Sequence, residues 1–359
     1  MAESFRVTLA QLNPTVGDLR GNAEAARRAW DEGKAAGVDL VALPELFLTG
    51  YNPQDLIRKP AFYLDCMAVL DELAQDCADG PAIAIGAPWR EGAELFNAYH
   101  ILEKGAVRAT LLKHHLPNDQ VFDEERIFTS APISGPLGLG PLRAGFPICE
   151  DAWHEDVAET HEETGAELLI VPNGSPYHRD KFDLRLNMMV ARVIETGLPL
   201  VYLNMVGGQD DQIFDGGSFV LNPGGEMALK LPAFEEAIAH VSFVNGPDGW
   251  RAEPGPVARH GDSLEQDYHA MVLALRDYLR KTGFKKVLLG LSGGVDSALV
   301  AVIAGDAIGP ENVRCVMLPS EYTSEHSLED AKDLAKRLGA PYDFVPIDKG
   351  RAAISETLG

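Results

Sequence analysis

The sequence predicts an α/β protein of two domains, the second built on a doubly wound parallel sheet. Three observations predict it. Apolar runs of strand length alternate with amphipathic stretches at helical spacing along most of the chain. The segment Asn245-Gly246-Pro247-Asp248-Gly249, continued by Glu253-Pro254-Gly255-Pro256, gathers turn residues without helical or strand periodicity. It divides the chain into a first domain over residues 1–245, a linker over 246–262 and a second domain over 263–359. After it the pattern reads β-α-β-α-β, an order whose ligand crevice lies at the carboxyl ends of the strands.

Taken in order, strands are expected at residues 7–9, 40–43, 83–85, 168–171 and 200–203, all short and apolar. Met67, Leu70, Leu73 and Cys77 form one stripe of a helix between the second and third of these. Beyond the linker, Ser263 is expected to cap a helix that runs to Arg280 and ends at Gly283. A strand over 287–289 leads through a glycine-rich turn into a helix over 298–308, and a further strand is expected at 313–317. Leu328, Ala331, Ala335 and Leu338 mark a helix closed by Gly339, entered through a cap at Ser327, and 344–347 reads as the last strand.

Composition narrows the function. With 359 residues the chain is long enough for more than one core. Its 54 acidic and 31 basic side chains give a formal net charge of −23, which argues against general affinity for nucleic acid or anionic membranes. No apolar stretch reaches the roughly 18 residues of a membrane span, and MAESFRVTLAQLN enters a strand pattern without a basic and apolar leader. A cytoplasmic protein is therefore expected. Cys66, Cys77, Cys149 and Cys315 have no metal spacing and are too sparse for a disulfide framework. Cys66 and Cys77 fit packing roles.

The turn Gly290-Leu291-Ser292-Gly293-Gly294-Val295-Asp296-Ser297 carries the clearest chemistry. Two glycines allow close backbone approach, and the free amides and dipole of the following helix favour an anion. No lysine follows the glycines, so a Walker A loop is excluded. A structural turn without ligand is the bland alternative. The loop resembles the SGGxDS loop of the ATP pyrophosphatase family, whose members split ATP into AMP and pyrophosphate to adenylylate a carbonyl-type oxygen. That resemblance implies that residues 290–297 bind ATP. Ser292 and Ser297 can donate to phosphate oxygens, and Asp296 can reach Mg²⁺ on them, since Mg²⁺ takes one or two carboxylates besides phosphate.

Three contexts stand apart from the core pattern of the first domain: Glu45 after an apolar strand and Pro44, Lys113 in LLKHHLPN, and Cys149 in FPICEDAW. A thiolate nucleophile needs a proton acceptor and a cation or donor for its anionic intermediate, and these residue types supply both. Singly, each has an ordinary reading as a cap, a solvated charge or an inert thiol. Together, PELFLTGY around Glu45, LLKHHLPN, ICEDAW and the later NGSPYHRDK resemble the nitrilase superfamily over most of residues 1–245. The resemblance implies an α-β-β-α sandwich, with Glu45 as general base, Cys149 as acylated nucleophile and Lys113 as the stabilising cation.

A nitrilase-like amidase ahead of an ATP pyrophosphatase loop resembles the glutamine-dependent NAD synthetases, and the run from Met317 to Ala331 resembles their second loop. The resemblance implies glutamine contacts at Tyr51, Glu150, Trp153, Ser175 and Lys181, with Glu124 a second acid beside the catalytic three. Asp119 departs from it: the family often places an aromatic there that contacts glutamine, and an acid can bind the ammonium but cannot stack. Implied partners are glutamine and deamido-NAD, with ATP and Mg²⁺, in a homo-oligomer without nucleic acid or membrane. The family's synthetase domain is longer than the stretch after Gly283, so 263–359 is expected to be its N-terminal part, with the deamido-NAD residues lying beyond. Three alternatives stay open: an amidotransferase with another adenylylated acceptor, a nucleotide-binding remnant without ligase turnover, and a stand-alone amidase.

Overall fold

The computed structural model describes residues 3–118 and 121–358. They form two compact units that divide between Ser263 and Leu264.

The first unit holds two main sheets. The seven-stranded sheet runs in spatial order Gly249–Ala252, Ala237–Gly246, Ser4–Gln11, Leu40–Ala42, Ala82–Glu91, Glu94–Glu103 and Ala106–Leu112. The six-stranded sheet runs Glu226–Lys230, Phe219–Asn222, Leu200–Asn204, Leu168–Asn173, Leu142–Gly145 and Leu137–Leu139. Most of the strands expected from apolar runs are buried on both faces, which is why they lack polar alternation. The strand period of two instead sorts their side chains between cores. Leu40, Ala82, Ala84, Leu168 and Ile170 enter the core between the sheets. Val41, Ile83 and Ile85 turn to the opposite face, against Ala26 and Trp30 of helix Leu19–Ala36 and Cys66, Leu70 and Leu73 of helix Pro60–Asp76. Leu169 and Val171 likewise meet Ala158 of helix Glu155–Glu163 and Met189 and Val193 of helix Lys181–Thr196. The layers are α-β-β-α, as the resemblance implies. Cys66 and Cys77 lie in the second core, where burial pushes each thiol up to about 12, so both are packing groups.

The expected linker is corrected in its first part. Pro247 and Asp248 form a hairpin turn, and Gly249–Ala252 returns antiparallel along Ala237–Gly246 with Trp250 and Ala252 buried between the sheets. Four residues are too few to show alternation beside so many turn residues. Residues 255–258 are then tied along the edge strand, through Gly255 N–H to Ala228 O and Ala258 N–H to Lys230 O at 2.8 and 3.0 Å.

In the second unit, Val287–Gly290, Val313–Met317 and Tyr342–Phe344 form a parallel sheet in that order. Helices Ser263–Thr282, Val295–Ile308, Glu325–Leu338 and Asp348–Leu358 complete it. Several boundaries differ from expectation, among them the helix expected from 298, which begins at Val295. Ser263 is the first helical residue, not a residue before the helix. The cap of Glu325–Leu338 is Ser324, whose hydroxyl accepts the Ser327 N–H at 3.2 Å. The last strand sits at 342–344, because its register pairs Cys315 with Tyr342 and Met317 with Phe344, and Pro346 lacks an N–H for the ladder. No helix among the described residues is long and apolar enough to cross a membrane.

Candidate active site

Glu45 follows Pro44 just past strand Leu40–Ala42 and is fully buried. Its loop passes directly over Gly86 of the neighbouring strand: an added Cβ there would lie 2.0 Å from the Leu46 nitrogen and 2.6 Å from the Glu45 carbonyl carbon. Only glycine permits that approach. Lys113 follows strand Ala106–Leu112, and its N–H is held by the Asn97 carbonyl at 2.9 Å.

The Lys113 ammonium donates to Glu45 Oε1 at 2.7 Å and to Glu124 Oε1 and Oε2 at 3.1 and 2.9 Å. Asn97 Nδ2 donates to Glu45 Oε1 at 2.8 Å, and the Gly174 N–H donates to Glu45 Oε2 at 2.8 Å. The Glu45 carboxylate is thereby fixed by three donors from three segments. Tyr51 donates its hydroxyl to Glu124 Oε1 at 2.9 Å and packs edge-on to Phe122 and Phe214.

Cys149 comes from the other sheet, at the start of a short 3₁₀ turn, Cys149–Trp153. Its φ of +50° is in the left-handed region, uncommon for a residue with a Cβ, so the turn must be held from outside. Asp151 does this: Oδ2 accepts the Ile148 N–H at 3.0 Å, while Oδ1 accepts the His114 and His115 N–H groups at 3.1 and 2.7 Å. The turn that carries Cys149 is so tied to the loop that carries Lys113.

Electrostatics follow from burial. Desolvation pushes the Cys149 thiol well above its ordinary value, and the Glu45 charge adds to this while Lys113 opposes it. The resting group is a thiol. Burial works against the Lys113 cation, but Glu124, Glu45 and Cys149 outweigh it and hold the ammonium well above the usual lysine range. Glu124 is raised by burial, against the pull of Lys113.

Cys149 opens on a cavity of about 250 Å³ whose walls include Phe122, Glu150, Trp153, Ser175 and Lys181. The Lys181 ammonium lies 4.8 Å from the Trp153 ring centroid. Of the residues expected to contact glutamine, Glu150, Trp153, Ser175 and Lys181 therefore share one chamber, whereas the Tyr51 hydroxyl is turned to Glu124. Asp119 lies outside the described residues.

Sequence reasoning missed Asn97, although a polar residue in the apolar run ELFNAYHIL signals a buried role. It also missed Arg185, which is buried, pairs with Asp215 through two 2.8 Å contacts and donates to Ser175 Oγ at 3.0 Å. Replacing Asp215 by Ala leaves that guanidinium buried and unpaired, at a cost of about 3–5 kcal/mol. A urea melt should show the loss as a lowered midpoint, and an unchanged midpoint would mean that the pair does not hold this wall.

In the second unit, Gly290 ends strand Val287–Gly290 and Gly294 is the N-cap of helix Val295–Ile308. Gly293 has φ +82°, and a Cβ there would meet the Ser327 carbonyl oxygen at 2.3 Å, so the loop packs against the next helix start. Ser292 and Ser297 join their hydroxyls at 3.0 Å, and the Gly294 N–H donates to Ser292 Oγ at 3.3 Å. Asp296 is exposed in the first helical turn. Gly290, Leu291 and Ser292 border a cavity of about 220 Å³ with Met317, Leu318 and Thr323.

The four-layer sandwich with a buried Glu, Lys and Cys beside a small chamber defines a carbon-nitrogen hydrolase unit, and the carbon-nitrogen hydrolase family model matches residues 6–245. The NAD synthase model matches residues 267–359. The chain is 61% identical to the glutamine-dependent NAD(+) synthetase of Rhodobacter capsulatus over 358 residues, covering 100% of this chain and 65% of that protein. It is 36% identical to the one from Thermotoga maritima, covering 99% of this chain and 67% of the relative. A solved glutamine-dependent NAD+ synthetase from Acinetobacter baumannii, in complex with adenosine diphosphate, superposes with TM-score 0.93 at 34% identity, over 99% of this chain and 67% of that one. The chain belongs to the family of glutamine-dependent NAD(+) synthetases, and spans about two thirds of the length of the relatives it matches.

Proposed function

We propose that the first unit hydrolyses the side-chain amide of glutamine, and that the ammonia serves an ATP-dependent amidation of deamido-NAD to NAD at the second. The observation that carries the first half is the buried Lys113 between Glu45 and Glu124, beside a Cys149 that faces a chamber of amino-acid size.

Because Cys149 rests as a thiol, its proton must leave during attack. As Sγ bonds to the amide carbon, Glu45 accepts that proton and the carbonyl π electrons move to oxygen, where the Lys113 cation stabilises the charge. Glu45 then returns the proton to the amide nitrogen, the C–N bond breaks and ammonia departs. Water, deprotonated by Glu45, attacks the thioester; the C–S bond breaks, Cys149 regains a proton and glutamate leaves. The four donors around Glu45 and Glu124 keep the carboxylates in place through both halves. In the chamber, Glu150 pairs with the substrate ammonium and Lys181 with its carboxylate, on a wall formed by Trp153 and Ser175.

In the second unit the glycine turn and the Ser292 and Ser297 hydroxyls hold the ATP phosphates, exchanging the bonds they now make with each other for phosphate oxygens. An exposed carboxylate one residue into the helix fits Mg²⁺, so Asp296 would hold the ion, which supplies charge neutralisation on the departing pyrophosphate. The nicotinate carboxylate oxygen attacks the α-phosphorus of ATP as pyrophosphate leaves, and ammonia then attacks the acyl carbon of that adenylate, loses a proton and expels AMP. The partners are small molecules, since the net charge of −23 suits neither nucleic acid nor an anionic membrane, and the resemblance to the family implies a homo-oligomer in the cytoplasm.

The purified chain should release ammonia and glutamate from glutamine in equal amounts; no release would overturn the first half. Calorimetry with ATP tests the second. Asp296→Ala should weaken binding in the presence of Mg²⁺ by roughly tenfold, about 1.4 kcal/mol, and leave binding in its absence unchanged. Equal affinities with Mg²⁺ would remove Asp296 as the ligand.

A further inference from the structure

We propose that His114, His115 and Asp156 form a binding site for a divalent transition metal such as Zn²⁺ or Co²⁺, outside the catalytic chamber. Their ligand atoms all lie within 4.8 Å of one another. His115 Nε2 is 2.9 and 3.0 Å from the two Asp156 oxygens, and His114 Nε2 is 3.9 Å from Asp156 Oδ2. Two imidazoles and one carboxylate are the donor types that Zn²⁺ accepts at three protein positions, leaving a fourth for water. Imidazole nitrogen also suits the other late first-row ions, whereas Mg²⁺ and Ca²⁺ prefer an all-oxygen shell.

Two supporting features favour a ligand over a chance cluster. The His114 Nδ1 faces the Ala131 carbonyl at 2.5 Å, which places the proton on Nδ1 and leaves the Nε2 lone pair for the metal. The backbone N–H groups of both histidines are fixed by Asp151 Oδ1, so the pair is presented by a held loop. The two imidazoles are half-buried and Asp156 is exposed, so the separations can close to coordination distance by side-chain rotation. His154, stacked on His115 with centroids 3.9 Å apart, lies beside the site. His114, His115, Glu150 and His154 also border a cavity of about 500 Å³ that gives an ion access from solvent. Glu150 lines this cavity and the catalytic chamber alike.

Position gives the site its meaning. His114 directly follows Lys113, and Asp156 is the second residue of the helix Glu155–Glu163 that follows the Cys149 turn. A metal there would join the two loops that bring cation and nucleophile together, a second tie beside Asp151.

Cobalt chloride titrated into the metal-free full chain tests this. One equivalent should bind with the visible absorption of a nitrogen- and oxygen-ligated ion, and without the near-ultraviolet charge transfer of a cobalt thiolate. Asp156→Asn and His115→Gln should each weaken binding by at least about the 10- to 100-fold that loss of a supporting hydrogen bond costs at a metal site. Cys149→Ala should bind as the parent does. Compared with its own metal-free form, zinc should raise the Tm of the parent and leave that of Asp156→Asn unchanged. No bound cobalt, cobalt retained in Asp156→Asn, or cobalt lost in Cys149→Ala would overturn the proposal.

Discussion

Cys149→Ala is expected to reduce glutamine hydrolysis to background, a loss on the order of 10⁶-fold where a covalent nucleophile is removed from an otherwise intact site. The scale follows from the geometry. Glu45 is locked by Lys113, Asn97 and the Gly174 N–H, and Lys113 by two carboxylates, so no neighbouring group is placed to attack in place of sulfur. The substitution removes a small buried group that already sits in an unfavourable backbone conformation, so the fold should survive. Steady-state ammonia release and glutamine binding by calorimetry separate the effects: binding persists and turnover vanishes. Turnover within tenfold of the parent would exclude Cys149 as nucleophile.

Lys113→Met should harm the protein twice. Losing the cation that faces the tetrahedral oxyanion costs about 10²- to 10³-fold in kcat. Removing one partner of a buried ion pair also leaves Glu45 and Glu124 uncompensated, which destabilises by about 3–5 kcal/mol. The two effects separate by a second change. Adding Glu124→Gln removes one of the stranded carboxylates, so the double variant should recover much of the denaturant midpoint while its kcat stays low. Glu45→Gln, by contrast, keeps the shape and the Lys113 contact and loses the proton acceptor, for about 10²- to 10⁴-fold in rate. If Lys113→Met kept the parent kcat, or if the double variant regained it, Lys113 would be a structural cation only.

Whatever is local was legible in the sequence. PELFLTGY, LLKHHLPN and ICEDAW each put a candidate site residue just past a strand or at a tight turn, and the fold brings those ends together. The strand–glycine turn–helix of residues 287–308 was equally plain, because its signals are contiguous. Less legible were the groups that act from a distance. Asn97 lies mid-strand, where it reaches the same Glu45 oxygen as Lys113, and Gly174 contributes only a backbone N–H, so neither carries a motif of its own. Arg185 sits on a helix face whose spacing reads as an amphipathic charge, and only its burial against Asp215 reveals a supporting role. Gly249–Ala252 was hidden by the turn residues on either side of it, and the cap at Ser324 by a second serine three residues on that also suits the position.

The most direct test of glutamine hydrolysis at Cys149 is covalent labelling of the chain by a glutamine analogue in which a chloroketone replaces the amide. Such a reagent needs both the chamber to hold its amino-acid end and an activated thiol at the position of the scissile bond. One equivalent should be incorporated, on Cys149 alone by peptide mass spectrometry, with inactivation in step with labelling and protection by glutamine. Cys66 and Cys77, buried in the helix-facing core, should stay unmodified. Labelling at another residue, or full glutaminase activity in a chain labelled at Cys149, would contradict that role.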